Sequence, residues 1–114
     1  MFGIQEIDAA TLRQWMEQGE DFRLVDIRTE AEVAQGVIEG AEWIPMHLIP
    51  LRIEEFRNGP KTVVYCRSGN RSAQVCAFLA QHGAGEHCIN LQGGIIGWAR
   101  AGFPIAGRET LKVA

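Results

Sequence analysis

Two kinds of hydrophobic pattern alternate along the chain. Short apolar runs bounded by turn residues read as buried strands. The strongest is Thr62-Val63-Val64-Tyr65-Cys66, preceded by Asn58-Gly59-Pro60 and followed by Ser68-Gly69-Asn70. Leu24-Val25-Asp26-Ile27 and His87-Cys88-Ile89-Asn90-Leu91 are further runs of this kind, and residues 4–7 and the pair Trp43-Ile44 are weaker ones. Between them the spacing turns helical. Asp8 suits the N-cap of a helix that carries Leu12, Trp15 and Met16 on one stripe and stops near Gly19. A short helix is expected over residues 30–35, ending at Gly36. Another is expected over residues 50–57, opening with Pro50, whose missing N–H is harmless at a helix start. The spacing of Val75, Phe78, Leu79 and His82 predicts a helix from residue 71 or 72 to 82, with Gly83 as its stop. Strands alternating with helices imply an α/β fold, a mostly parallel sheet covered on both faces. Ligands of such sheets bind beyond the carboxyl ends of the strands, where Cys66 falls.

Composition narrows the class without changing this picture. The 114 residues, 46% apolar and 22% charged, suit one domain spanning 1–114 that needs no disulfide or structural metal to bury a core. No repeat, linker or low-complexity segment interrupts it. A net charge of −3 lacks the basic footprint expected of a nucleic-acid binder. No apolar run approaches the roughly 20 residues needed to cross a bilayer. The first eight residues show neither a basic nor an apolar leader region, so the expected location is the cytoplasm, with no membrane partner.

The three cysteines are Cys66, Cys76 and Cys88. An odd count, without a C-x-x-C or a paired Cys/His spacing, argues against a disulfide framework or a zinc site. His87 and Cys88 are strand neighbours whose side chains diverge. Cys76 on a helix stripe and Cys88 in a strand read as packing. Cys66 differs, because it opens a loop with one glycine and two arginines that leads into a helix. Such a loop turns successive N–H groups inward as an anion-binding nest, and the helix N-terminus adds a positive dipole end. Arg67 and Arg71 add full charges. A thiol there is expected to ionise readily and to act as a nucleophile toward sulfur or phosphorus.

Cys66-Arg67-Ser68-Gly69-Asn70-Arg71-Ser72 resembles the active-site loop of rhodanese-like sulfurtransferases. Asp26-Ile27-Arg28 resembles that family's early Asp-x-Arg. Gly36-Val37-Ile38-Glu39-Gly40-Ala41 with Ile44-Pro45 resembles its Gly-His-Ile-Pro-Gly-Ala segment, with Val37 and Glu39 in place of the His and Pro. Leu91-Gln92-Gly93-Gly94 with Trp98, Ala101-Gly102 and Pro104 resembles its closing motif. The matches run in the family's order from about residue 25 to residue 104. The resemblance implies a five-stranded, mainly parallel sheet flanked by helices, and a ping-pong sulfur transfer through a persulfide on Cys66. It implies no metal and no organic cofactor. The loop residues Arg67, Ser68, Gly69, Asn70, Arg71 and Ser72 would cradle the persulfide and orient an anionic donor such as thiosulfate. The acceptor would be cyanide, a thiol or a protein cysteine. Asp26 and Arg28 would brace the pocket or form a surface ion pair, and Trp98 would belong to the core.

Three rival readings are set against this one. Cysteine phosphatases and arsenate reductases share the cysteine–nest–arginine logic, but the phosphatases space the pair as Cys-x5-Arg. Here Arg71 follows Cys66 after four residues, which suits a single sulfur atom better than a phosphoryl group. A non-catalytic binding module would have no use for Cys66 and two loop arginines. A persulfide carrier loaded by a partner protein would have the same sequence features as an enzyme acting on thiosulfate.

Overall fold

The computed structural model describes residues 3–112. Five strands form one sheet in the order β1-β5-β4-β2-β3, and every neighbouring pair is parallel. In chain order the elements are β1 (Gln5–Ile7), α1 (Ala9–Glu17), β2 (Arg23–Asp26), α2 (Glu30–Val33), β3 (Glu42–Trp43), α3 (Ile53–Arg57), β4 (Thr62–Tyr65), α4 (Asn70–Gln81), β5 (Cys88–Leu91) and α5 (Gly94–Arg100). Short 3-10 segments cover Met46–Arg52 and Arg108–Thr110.

Period-two alternation along the buried strands divides the core into two layers. Val25, Ile27, Val64, Cys66 and Cys88 point to one face, where Ile49, Phe56, Val75, Cys76 and Leu79 of α3, α4 and the first 3-10 segment cover them. Leu24, Val63, Tyr65, Ile89 and Leu91 point to the other, under Leu12 of α1 and Ile95 and Trp98 of α5. Trp98 is 1% exposed, and its indole N–H donates to the carbonyl of Pro104 (2.8 Å). No helix among the described residues is long and apolar enough to cross a membrane.

Boundaries moved where local chemistry overrode spacing. Pro50 does not open an α-helix. It lies inside the 3-10 segment Met46–Arg52, and the α-helical stretch begins at Ile53. A residue without an N–H cannot join the four-residue ladder, so the chain turns through three-residue bonds first. Similarly, α2 stops at Val33, because the N–H groups of Gln35 and Gly36 bond three residues back, to Glu32 and Val33. Helix α4 starts one residue earlier than the spacing indicates, at Asn70, since the Ala73 N–H already bonds the Gly69 carbonyl (3.1 Å). Helix α5 was not anticipated as a helix at all. The segment that fills the place of the Gly-His-Ile-Pro-Gly-Ala motif packs without its His: Val37 is fully buried and pairs with Ala106 in an antiparallel bridge, while Glu39 is exposed.

All five strands end at the same edge, so the turns after β2, β4 and β5 adjoin there. The turn after β2 is held by a buried ion pair. Arg28 lies over Asp26 with Nε 3.1 Å from both carboxylate oxygens and Nη2 2.8 Å from Oδ2. The remaining Arg28 donors reach the carbonyls of Gly36 (2.6 Å) and Glu32 (3.3 Å), and thereby pin α2 and its exit to the strand end. Asp26 is 0% and Arg28 4% exposed, so this is not the surface pair that was one of the two expectations. Removing one member of a buried pair strands the other charge. Arg28→Met is therefore expected to lose about 3–5 kcal/mol in urea unfolding. A loss under about 1 kcal/mol would show that the pair does not hold this edge together.

Candidate active site

Strand β4 ends at Tyr65, so Cys66 is the first residue of the loop and not the last of the strand. It is central in the sheet, and its side chain continues the β4 alternation into the layer under α4. The chain then turns through Gly69, at φ +100°, into α4. A Cβ at that position would come 3.1 Å from the Gly93 nitrogen and 3.3 Å from the Leu91 carbonyl, a tight fit against backbone that adds to the strain of a positive φ.

This turn aims backbone donors at one atom. The Gly69 N–H points to Cys66 Sγ at 3.2 Å and the Ser72 N–H at 3.5 Å, and the Ser72 hydroxyl lies 3.4 Å away. The loop's carbonyls point the other way and are taken by the first turn of α5: Ile95 N–H donates to Cys66 O (3.0 Å) and Ile96 N–H to Arg67 O (3.1 Å). A Cβ on Gly94 would sit 2.5 Å from Arg67 O and 2.6 Å from Cys66 O. The loop and α5 therefore meet backbone to backbone. Cys66 is 1% exposed. Burial pushes its thiol up, but the contacts from the Ser72 hydroxyl and from the N–H groups of Ser72, Gly69 and Ser68 outweigh it and hold the thiol below its ordinary value.

The two loop arginines differ. Arg71 forms a two-pronged pair with Glu32 of α2, Nη1–Oε1 2.8 Å and Nη2–Oε2 2.7 Å. That bond to Arg71 is the main reason the Glu32 carboxyl falls to about 2. Arg67 is exposed and has no ion-pair partner among the described residues. It lines a cavity of about 210 Å³ together with Arg28, Glu32 and Gln35. Ser68 and Asn70 are exposed at the rim, whereas Gly69 and Ser72 are buried. Arg28 thus shares a cavity wall with Arg67 and bonds the carbonyls of Glu32 and Gly36, while Asp26 is bonded to Arg28.

Two residues at this site were not picked out from the sequence. Glu32 was legible only as part of a short helix, although Thr29-x-x-Glu32 is a capping-box pattern, and both reciprocal bonds of that box are present. Asn90 is 1% exposed and bonds Ser72, Gly69 and Glu6. Its signal was a lone amide in an otherwise apolar strand. Cys76 and Cys88 lie in the core with their sulfurs 3.0 Å apart. The contact with Cys88, together with burial, pushes the Cys76 thiol far up. No group of three or more His, Cys, Asp or Glu side chains among the described residues could hold a metal ion.

The Glu32–Arg71 pair makes a pH prediction. The Glu32 carboxyl is lower in the folded chain, about 2, than its ordinary 4.5. Its stabilisation is then complete above about pH 4.5 and is lost as pH falls through about 2. Thermal unfolding of the parent chain and Glu32→Gln across pH 2–7 is expected to show a gap that is constant at neutral pH and closes in acid. A gap that persists unchanged to pH 2 would contradict the pairing.

The comparisons with known proteins agree with this geometry. The rhodanese-like domain family model matches residues 8–101. A sulfurtransferase of Allochromatium vinosum is 53% identical over 106 residues, covering 93% of this chain and 98% of that protein. A putative sulfurtransferase of Bacillus subtilis is 38% identical over 95 residues, covering 83% and 90%. Among solved structures, a rhodanese-like domain from Anabaena sp. matches with a TM-score of 0.78 at 28% identity, covering 96% of this chain and 84% of that one. The matched span takes in the cysteine loop, the Asp26–Arg28 turn and the start of α5 together, and the chain accordingly belongs to the rhodanese-like domain family, as a sulfurtransferase of the general rhodanese type.

Proposed function

We propose that the chain moves sulfane sulfur from a small anionic donor such as thiosulfate to a thiophilic acceptor through a persulfide on Cys66. The observation that carries this reading is the convergence of the Gly69 and Ser72 N–H groups on the Cys66 sulfur. Fixed donors of that kind stabilise a thiolate before attack and the terminal sulfur of a persulfide after it. In the first half-reaction the Cys66 thiolate attacks the outer sulfur of thiosulfate. A Cys66 S–S bond forms, the donor's S–S bond breaks, and sulfite leaves with the electron pair. In the second, a nucleophile such as cyanide, a thiol or a protein cysteine attacks the outer persulfide sulfur and returns Cys66 as thiolate. Both steps are displacements at sulfur and need neither a metal nor an organic cofactor.

Arg67 supplies the charge for the donor's sulfonate end, since Arg71 is already committed to Glu32. The narrow loop and the burial of Cys66 favour a donor that presents one sulfur atom over a phosphoryl substrate. A second reading, a carrier loaded by a partner protein's persulfide, draws support from the same neutralised Arg71, which leaves Arg67 as the loop arginine without an ion-pair partner among the described residues. Free thiols in the core suit a reducing compartment such as the cytosol.

Intact-mass measurement after incubation with thiosulfate tests the reading. One added sulfur is expected, located on Cys66 and removed by cyanide with release of thiocyanate. Cys66→Ser is expected to abolish loading, whereas Cys76→Ser and Cys88→Ser retain most of it. Substantial transfer by Cys66→Ser sinks the assignment. Failure with thiosulfate but loading from a persulfidated protein selects the carrier. Arg67→Ala is expected to raise KM for thiosulfate about tenfold with a smaller effect on kcat, the value of one charge-assisted contact.

A further inference from the structure

Asn90 is a buried amide whose two ends are sorted by their neighbours. From β5, Nδ2 donates to Glu6 Oε2 on β1 (2.8 Å) and to the Gly69 carbonyl (3.2 Å). Both partners accept only, so the amide cannot be turned over, and Oδ1 must face Ser72. The Ser72 oxygen lies 2.5 Å from that Oδ1 and 3.4 Å from Cys66 Sγ. A hydroxyl has one proton and here two claimants. Given to Asn90, it satisfies a buried acceptor. Given to sulfur, it leaves that acceptor without a protein donor between two residues that are 1% and 0% exposed, and this is the costlier arrangement.

We propose that Asn90, braced by Glu6, is a positioning residue that keeps the Ser72 hydroxyl proton for itself and so turns a lone pair of Ser72, not its proton, toward the Cys66 sulfur. The neutral thiol can then donate its own proton to Ser72 Oγ. Of the contacts that lower the thiol, this arrangement keeps the backbone N–H groups of Ser72, Gly69 and Ser68 on the anionic sulfur and withholds the Ser72 hydroxyl. The same amide ties down the Gly69 carbonyl, so the residue that restrains Ser72 also fixes the loop. The charged groups around this chain of contacts are Glu6 on β1, Asp26 and Arg28 at the end of β2, Glu32 on α2, Arg67 in the loop and Arg71 on α4. None of them is altered in the test. The inference rests on Cys66 being the reactive cysteine, and it concerns the state of that thiol rather than the sulfur donor.

The experiment is the pH dependence of iodoacetamide alkylation, read on the Cys66 peptide by mass spectrometry, for the parent chain, Asn90→Leu, Ser72→Ala and the double variant. Asn90→Leu frees the Ser72 proton for the sulfur and is expected to move the midpoint about one pH unit lower, roughly a tenfold gain in alkylation rate below the midpoint. That shift is expected to vanish in the Ser72→Ala background, and Ser72→Ala alone is not expected to raise the midpoint. An unchanged or raised midpoint in Asn90→Leu, or an equal drop in both backgrounds, overturns the proposal. If Asn90→Leu does not fold, Ser72→Ala decides alone. A rise of about one unit would mean that the hydroxyl had been serving the sulfur, and overturns it; no rise supports it. Thiosulfate loading of the parent chain is measured alongside. Failure to load with the expected alkylation shifts counts against the persulfide mechanism and leaves the role of Asn90 standing.

Discussion

The division of peptide groups in residues 66–72 is the constraint on which the carboxyl edge of the sheet depends. Its N–H groups converge on one sulfur only because its carbonyls have somewhere else to go. The first turn of a helix has donors with no internal partner, and a loop bent into a nest has carbonyls with none. Ile95 and Ile96 at the start of α5 supply those donors to Cys66 and Arg67, so each backbone end satisfies the other. Gly94 permits the contact by having no side chain, and Gly69 permits the turn. The cradle is thus made by two crossovers, β4 to α4 and β5 to α5, neither of which holds it alone.

Around this lies a second tier of charge. Asp26 fixes Arg28, Arg28 fixes the carbonyls of Glu32 and Gly36, and the Glu32 carboxylate fixes Arg71. The sequence suggests two free cations beside the cysteine, but the fold leaves one. A neutralised Arg71 adds no net charge to the wall of the site, whereas Arg67 stands exposed without an ion-pair partner among the described residues.

The three cysteines show how little burial alone decides. All three are within 2% of fully buried and belong to one core cluster. Cys76 and Cys88 face each other, and burial and their mutual contact keep the Cys76 thiol protonated. Cys66 is just as dry but is surrounded by donors, and its thiol moves the opposite way. The difference is the orientation of the donors around it, among them the peptide N–H groups of Ser68, Gly69 and Ser72.

Much of this was legible in the residues. The β-branched run at 62–65, the stripe through Val75 and Leu79 and the glycine-punctuated loop between them carry periodicity and turn signals that depend only on local sterics. They determined an α/β sheet with a cysteine at a strand end, and the short motifs around residues 26–28 and 91–94 determined the family. Pro50 and the ends of α2 and α4 were misplaced by a residue or a few, because hydrogen-bond choices at a terminus depend on what the neighbouring chain offers. Helix α5 was missed because its glycine-rich start reads as loop until the carbonyls it serves are in place. The pairing of Arg71 with Glu32, 39 residues apart, and of Asn90 with Ser72, 18 apart, was decided only by tertiary structure. Local pattern sets which face a side chain occupies, but which polar atom meets which across two crossovers follows from sheet order and packing, and no spacing along one strand or helix encodes that.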